Sequence, residues 1–143
     1  MSTKDSYIEV SVVMVENNRK EFFVHQRTAD KKIFPGQYAF VAGGKIELGE
    51  LPFQAAKREL QEELGLETRI EPLFHVSYTD TSLKLKVYFF YTLCEGEEVV
   101  PSQEEFQNWG WKRPSEIEEL MRSKPFCPTD KTFYEWYKKQ YLS

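Results

Sequence analysis

Three glutamates, Glu59, Glu62 and Glu63, follow one another at the spacing of a single helix face. Residues three and four apart are neighbours on a helix surface, so these carboxylates crowd together. They repel one another unless something positive joins them. Arg58 beside them relieves part of that repulsion. A hard divalent cation relieves more, because clustered carboxylate oxygens are what Mg²⁺ or Mn²⁺ prefers. Such a cation bridges carboxylates to phosphate oxygens, draws charge from a scissile phosphate and acidifies a bound water. An acidic helix face taken alone is more often just a solvated surface, so the neighbouring residues decide. Gly43 and Gly44 let the backbone turn tightly ahead of the helix, and the Gly44 carbonyl can join the cation's shell. Phosphoryl transfer asks mostly for positioning and neutralised charge, and this set supplies both.

A helix over about residues 51–64 must hold those carboxylates. Pro52 suits its first turn and Gly65 its stop. Phe53, Ala56, Leu60 and Leu64 make its apolar stripe, and Ala55, one turn before Glu59, leaves space on the acidic face. Upstream, the β-rich run at 8–15, the Asn17-Asn18 turn signal and the strand-like 22–26 read as a hairpin. A short strand at 38–41 runs into the two glycines. Strands at about 70–78 and 83–93, a loop at 95–102 and a short strand at 109–111 come next. Helices opened by Pro114 and Pro128 extend to about 121 and 141. Helices on a mixed sheet make the fold class α/β. No internal repeat, low-complexity tract or linker divides the chain, so residues 1–143 read as a single domain.

The chain has 143 residues, 41% of them hydrophobic and 15% aromatic, enough for a core. Its formal net charge of -4 argues against a nucleic-acid polymer as partner, since such binders carry a basic face. A small anion remains compatible, because a bound cation inverts the local field. No apolar run has the length of a membrane span and the first residues are polar, so a cytoplasmic location without a membrane partner is expected. Cys94 and Cys127 fit a reducing compartment as buried or idle thiols.

From Gly44 to Leu66 the chain reads G-K-I-E-L-G-E-L-P-F-Q-A-A-K-R-E-L-Q-E-E-L-G-L. Gly44, Glu50, Arg58, Glu59, Leu60, Glu62, Glu63, Gly65 and Leu66 fill every fixed position of G-x5-E-x7-R-E-U-x-E-E-x-G-U, with U aliphatic. This resembles the Nudix box of the Nudix hydrolases, which use divalent metal to cleave a diphosphate linked to another group. The resemblance implies a Nudix α/β/α sandwich with a mixed β-sheet and a metal-dependent diphosphohydrolase. It implies Mg²⁺, or Mn²⁺, held by Glu59, Glu62 and Glu63 with Gly44. Glu50 then lies near the helix start, and Arg58 orients the carboxylates through ion pairs. Leu60 and Leu66 read as packing.

A shorter likeness lies upstream, where His25 to Gly36 reads H-Q-R-T-A-D-K-K-I-F-P-G. It resembles the R-x3-K-x3-P-G signature of the isopentenyl diphosphate isomerase subgroup of Nudix proteins. Glu104-Glu105-Phe106 ahead of Trp111 and Phe126-Cys127-Pro128 resemble that subgroup too. The likeness implies that Arg27 and Lys31 hold a substrate diphosphate and that Glu105 serves the chemistry, with Glu104 as a possible substitute. The isomerase itself needs a cysteine just before the box glycines and a histidine ligand nearby. Ala42 and Gly44 stand here instead, which favours hydrolysis over isomerisation. A Nudix regulator that binds a nucleotide without turnover is a further alternative, but such domains typically lose box carboxylates and this chain keeps them all. His25 and His75, without ligand spacing, receive no role. Tyr38 and Phe40 flank the cleft segment, one as core and one able to stack on a flat group. Phe133, Trp136, Tyr137 and Tyr141 mark a helix docked on its own domain, with a homodimer as the secondary reading.

Overall fold

The computed structural model describes residues 6–142. Its strands are β1 (Ile8–Asn17), β2 (Phe22–Arg27), β3 (Tyr38–Ala39), β4 (Ala42–Lys45), β5 (Ile70–Thr79), β6 (Lys84–Cys94) and β7 (Phe106–Lys112). Its helices are α1 (Pro52–Leu64), α2 (Pro114–Ser123) and α3 (Pro128–Tyr137). The strands form one mixed seven-stranded sheet. β1 is central and runs parallel to β6, and β5 closes that side antiparallel to β6.

Alternation along β1 dictates the layers, because successive strand residues face opposite sides. Val12 and Met14 join Phe22, Val24, Phe40, Ile117, Phe133 and Tyr134 in one core. Val13 and Val15 join Phe23, Ala56, Leu60 and Leu64 in the other. A sheet apolar on both faces needs a cover on each. Helix α1 covers one face, and α2 with α3 covers the other, giving the expected α/β/α sandwich. Phe40 is a core residue stacked on Phe133, whereas Tyr38 is half-buried and joined through its backbone to Pro125 and Cys127. Trp136 stacks on Phe74 with ring centroids 4.7 Å apart, and Phe133 and Tyr137 are buried, so α3 docks on its own sheet as read.

The hairpin reading of β1 and β2 needs correction in a way that makes the site. The two strands meet only at Glu16↔Phe22 and then part. β4 takes the vacated edge of β1, from Val10↔Lys45 to Val13↔Ala42, while β3 runs along β2. The glycine pair expected to be a turn is therefore a strand pressed against β1. Only glycine fits at 43, where φ is 156° and a Cβ would overlap the Ser11 carbonyl and lie 2.6 Å from Val12 Cα.

Three boundaries also shift. The expected strand at 38–41 pairs only at Tyr38–Ala39, β7 starts earlier than residue 109, and α3 gives way after Tyr137 to a π-type turn over Lys138–Leu142. In α1, Pro52 and the left-handed Gly65 (φ 68°) do what was expected of them. The apolar stripe is displaced, however. Ala55, Ala56, Leu60 and Leu64 are buried, but Phe53 is 45% exposed and Glu63 takes a place in the buried face.

Candidate active site

A cavity of about 590 Å³ opens where β1 and β2 part. Its walls include Val10, Val12, Leu85 and Val87, and Glu59 and Glu63 face it from α1. Packing of α1 against β4 puts these two acids there. The Gly43 N–H donates to Glu63 Oε1 at 2.9 Å. A Cβ on Gly44 would lie 2.8 Å from Glu59 Oε1, so the missing side chain is the seat of that carboxylate.

Burial pushes the Glu63 carboxyl well above the usual range, and the charges of Glu59 and then Glu105 push it further. Burial also raises Glu59, against the pull of Arg58. The two carboxyls lie close enough for each to act on the other, and their like charges repel. That is donor chemistry a hard divalent cation would fit, its charge relieving the repulsion. Among the described residues, no three acids, histidines or cysteines already converge as a finished cage. The remaining carboxylates are gathered on Arg58 instead.

Arg58 is the hub of the helix start. Its Nε donates to Glu50 Oε2 at 2.7 Å, and its terminal nitrogens reach Glu50 Oε1 at 3.0 Å, Glu59 at 2.9 Å, Glu62 at 3.2 Å and the Lys45 carbonyl at 3.1 Å. These bonds pull Glu50 down to about 2, helped by the Glu47 N–H. The guanidinium fork thereby ties the loop before α1 to the helix face. Glu62 differs from its two companions. Its side chain is 54% exposed and lies at the outer edge on Arg58.

Lys31 and Glu105 both line the cavity and form an ion pair with each other. Arg27 lines it too, but its Nε donates to the Ile33 carbonyl at 2.9 Å and so braces the loop that carries Lys31. Two buried groups in the cavity wall were assigned no role from sequence. Asp130 accepts the Phe40 N–H at 3.0 Å, and burial pushes it up to about 7. His25 Nε2 lies 2.5 Å from the Val41 carbonyl, so that nitrogen carries the proton, while Nδ1 is buried without a partner. Burial pushes this imidazole down to about 4. The available signal for Asp130 was an acid in the first turn behind Pro128, which alone reads as an ordinary helix start.

Comparison with known proteins agrees with this fold. A family model described as NUDIX domain matches residues 6–137. The chain is 34% identical over 114 residues, 78% of its length, to an uncharacterised Nudix hydrolase of Streptomyces coelicolor, and it spans 63% of that protein. It is 34% identical over 100 residues to the nucleoside triphosphatase NudI of Escherichia coli K12, covering 62% of this chain and 70% of that one. The 8-oxo-dGTP diphosphatase of the same organism is 34% identical over 110 residues, covering 73% and 78% respectively. Among solved structures, a MutT protein from Methanosarcina mazei superposes with a TM-score of 0.81 over 97% of this chain and 98% of that one, at 20% identity, which speaks for the fold. With the complete box on α1, the match across nearly the whole chain and the sandwich around it, this chain belongs to the Nudix hydrolase family.

Proposed function

We propose that the chain is a diphosphohydrolase that uses Mg²⁺ or Mn²⁺ to cleave the diphosphate linkage of a small nucleoside-triphosphate-like anion. The observation that carries this is the pair of adjoining carboxyls, half-buried Glu59 and buried Glu63, seated against Gly44 and Gly43 in the wall of a nucleotide-sized cavity. Glu62 at the outer edge and the Gly44 carbonyl complete the proposed donor set. A bound divalent cation would supply the charge that lets an acidic wall accept a polyphosphate and would polarise the scissile phosphoryl group.

The chain's own residues do the rest. Arg58 fixes Glu59 and Glu62 relative to each other and to Glu50, while the Gly43 N–H holds Glu63. Lys31, which also lines the cavity, offers a point charge to phosphate oxygens, and Arg27 holds its loop in place. To Glu105, which lines the same cavity, we assign the proton of the attacking water. The apolar walls suit a flat base or another apolar part of the substrate. The two Escherichia coli relatives, a nucleoside triphosphatase and an 8-oxo-dGTP diphosphatase, support a nucleoside triphosphate as the starting point. Ala42, where an isomerase requires a thiol, is packed into the core under α1 and offers no acid, which supports hydrolysis.

The same reading takes residues 1–143 as one domain acting in the cytoplasm on a soluble anion, with a homodimer allowed. No helix of the described residues is long and apolar enough to cross a membrane. The test is a panel of nucleoside triphosphates, nucleotide sugars, dinucleoside polyphosphates and isoprenoid diphosphates with Mg²⁺ or Mn²⁺. It is scored by release of phosphate, diphosphate or nucleoside monophosphate. Turnover of a nucleoside triphosphate above the other classes is expected, and inactivity on every class would overturn the proposal.

A further inference from the structure

Lys31 and Glu105 lie 74 residues apart in sequence, on two different segments that line the cavity, and are paired with each other. The pair is partly shielded, with side chains 26% and 34% exposed. Each side chain sits on a braced segment. The Lys31 N–H donates to the Thr28 carbonyl at 3.3 Å, and Arg27 holds the same loop through Ile33. Glu105 closes a turn on the Ser102 carbonyl at 3.2 Å, and the Ser102 N–H donates at 2.8 Å to the carbonyl of Glu63. The turn that carries Glu105 is therefore hooked to the backbone of a carboxylate in the acid pair. Glu105 is also near enough for its charge to act on Glu63.

The proposed reaction gives these two residues roles that exclude each other. A lysine ammonium bonded to a carboxylate is not available to a phosphate, and a carboxylate neutralised by an ammonium is a poor proton acceptor. A diphosphate carries more charge than a single carboxylate and competes for the lysine directly. We propose that Lys31 is a positioning residue that masks Glu105 in the ligand-free protein and transfers to the diphosphate on binding, so that Glu105 is unmasked only when a substrate is present. This rests on the proposed placement of a diphosphate in the cavity. It adds that the exchange of partners, rather than two independent contacts, couples binding to the readiness of Glu105.

A double-mutant cycle read by calorimetric titration of inorganic diphosphate into the Mg²⁺-supplemented protein tests the exchange. Lys31→Met should weaken binding about tenfold, as for a lost charge-assisted contact. Glu105→Gln should tighten it about twofold to fivefold, the range of a partly exposed ion pair released from competition. In the Lys31→Met background, Glu105→Gln should change nothing. An equal gain from Glu105→Gln with or without Lys31 would mean simple charge repulsion and would overturn the exchange. A loss of affinity in Glu105→Gln would overturn it as well, by making Glu105 a direct partner of the bound ligand. A second readout is the ¹³C carboxyl resonance of Glu105. It should move when diphosphate is added to the wild-type protein and should already stand at the shifted position in Lys31→Met. A resonance unmoved by diphosphate, or unchanged by Lys31→Met, would show that the ion pair persists and would overturn the exchange. Because the probe is diphosphate alone, a failed cycle overturns the exchange while nucleotide turnover stands, and a failed substrate panel overturns the hydrolase reading while the cycle stands.

Discussion

Replacing Gly44 with alanine isolates the geometry of Glu59 from its charge. The added Cβ would lie 2.8 Å from Glu59 Oε1, 3.0 Å from Cδ and 3.2 Å from Oε2. Ordinary contact begins near 3.4 Å, so the carboxylate must retreat by about 0.6 Å. The obstacle is the far end of a flexible side chain, so the fold should lose about 1 kcal/mol or less. Misplacing a catalytic group by about 1 Å can cost about a hundredfold in rate. A smaller shift then predicts a tenfold to hundredfold loss, about 1.4–2.7 kcal/mol of barrier. Gly43→Ala is the contrast, because its Cβ would strike the Ser11 carbonyl and Val12 Cα of the central strand. That variant should lose about 3 kcal/mol of stability or more. The assay pairs thermal unfolding with nucleotide turnover under saturating Mg²⁺. A Gly44→Ala protein that melts normally yet turns over within about threefold of wild type would refute the reasoning, since Glu59 would then have no geometric demand to meet.

Glu62→Gln should lower turnover by roughly a hundredfold with no loss of melting temperature, since it removes one charge from a crowded, exposed position. Near-native turnover would place the cation elsewhere. Arg27→Ala should raise KM and lower the melting temperature together, because its Nε braces the loop through Ile33; an unchanged KM would return Arg27 to a purely structural role. Two buried groups should tilt stability against pH in opposite directions. Asp130 is raised from 3.8 to about 7, so its share of stability is present below pH 3.8 and lost as pH rises toward 7. His25 is lowered from 6.5 to about 4, so its share is present above pH 6.5 and lost as pH falls toward 4. Relative to wild type, Asp130→Asn should make the melting temperature climb more steeply between pH 4 and 6.5, and His25→Gln should make it fall. Parallel profiles for all three proteins would contradict both assignments.

The parts of the site that were legible in the sequence are those built within one helix turn or one strand. Glu59 and Glu63 share a face and Arg58 reaches Glu59 and Glu62 by helical spacing, although Glu62 stays at the exposed outer edge, and the two-sided core follows from alternation along β1. The displaced stripe of α1 shows the limit of that logic. Carboxylates and apolar residues were expected on adjoining faces, but the sheet receives Glu63 along with Ala56 and Leu60, because β4 offers the Gly43 N–H to it. β4 itself carries no strand signal. Its glycines extend because β2 leaves β1 after one pair and an edge stands open. Asp130 meets Phe40 across 90 residues and Lys31 meets Glu105 across 74, distances at which local patterns are silent.

The central claim is that the box carboxylates act by holding a divalent cation against a diphosphate. The most direct measurement is turnover of a nucleoside triphosphate by protein stripped with chelator and then titrated with Mg²⁺ or Mn²⁺. Turnover should vanish on stripping and return with added metal in the wild-type protein, and should fail to return in Glu59→Gln and Glu63→Gln. Undiminished turnover by the stripped protein would contradict the claim, as would full recovery in both variants.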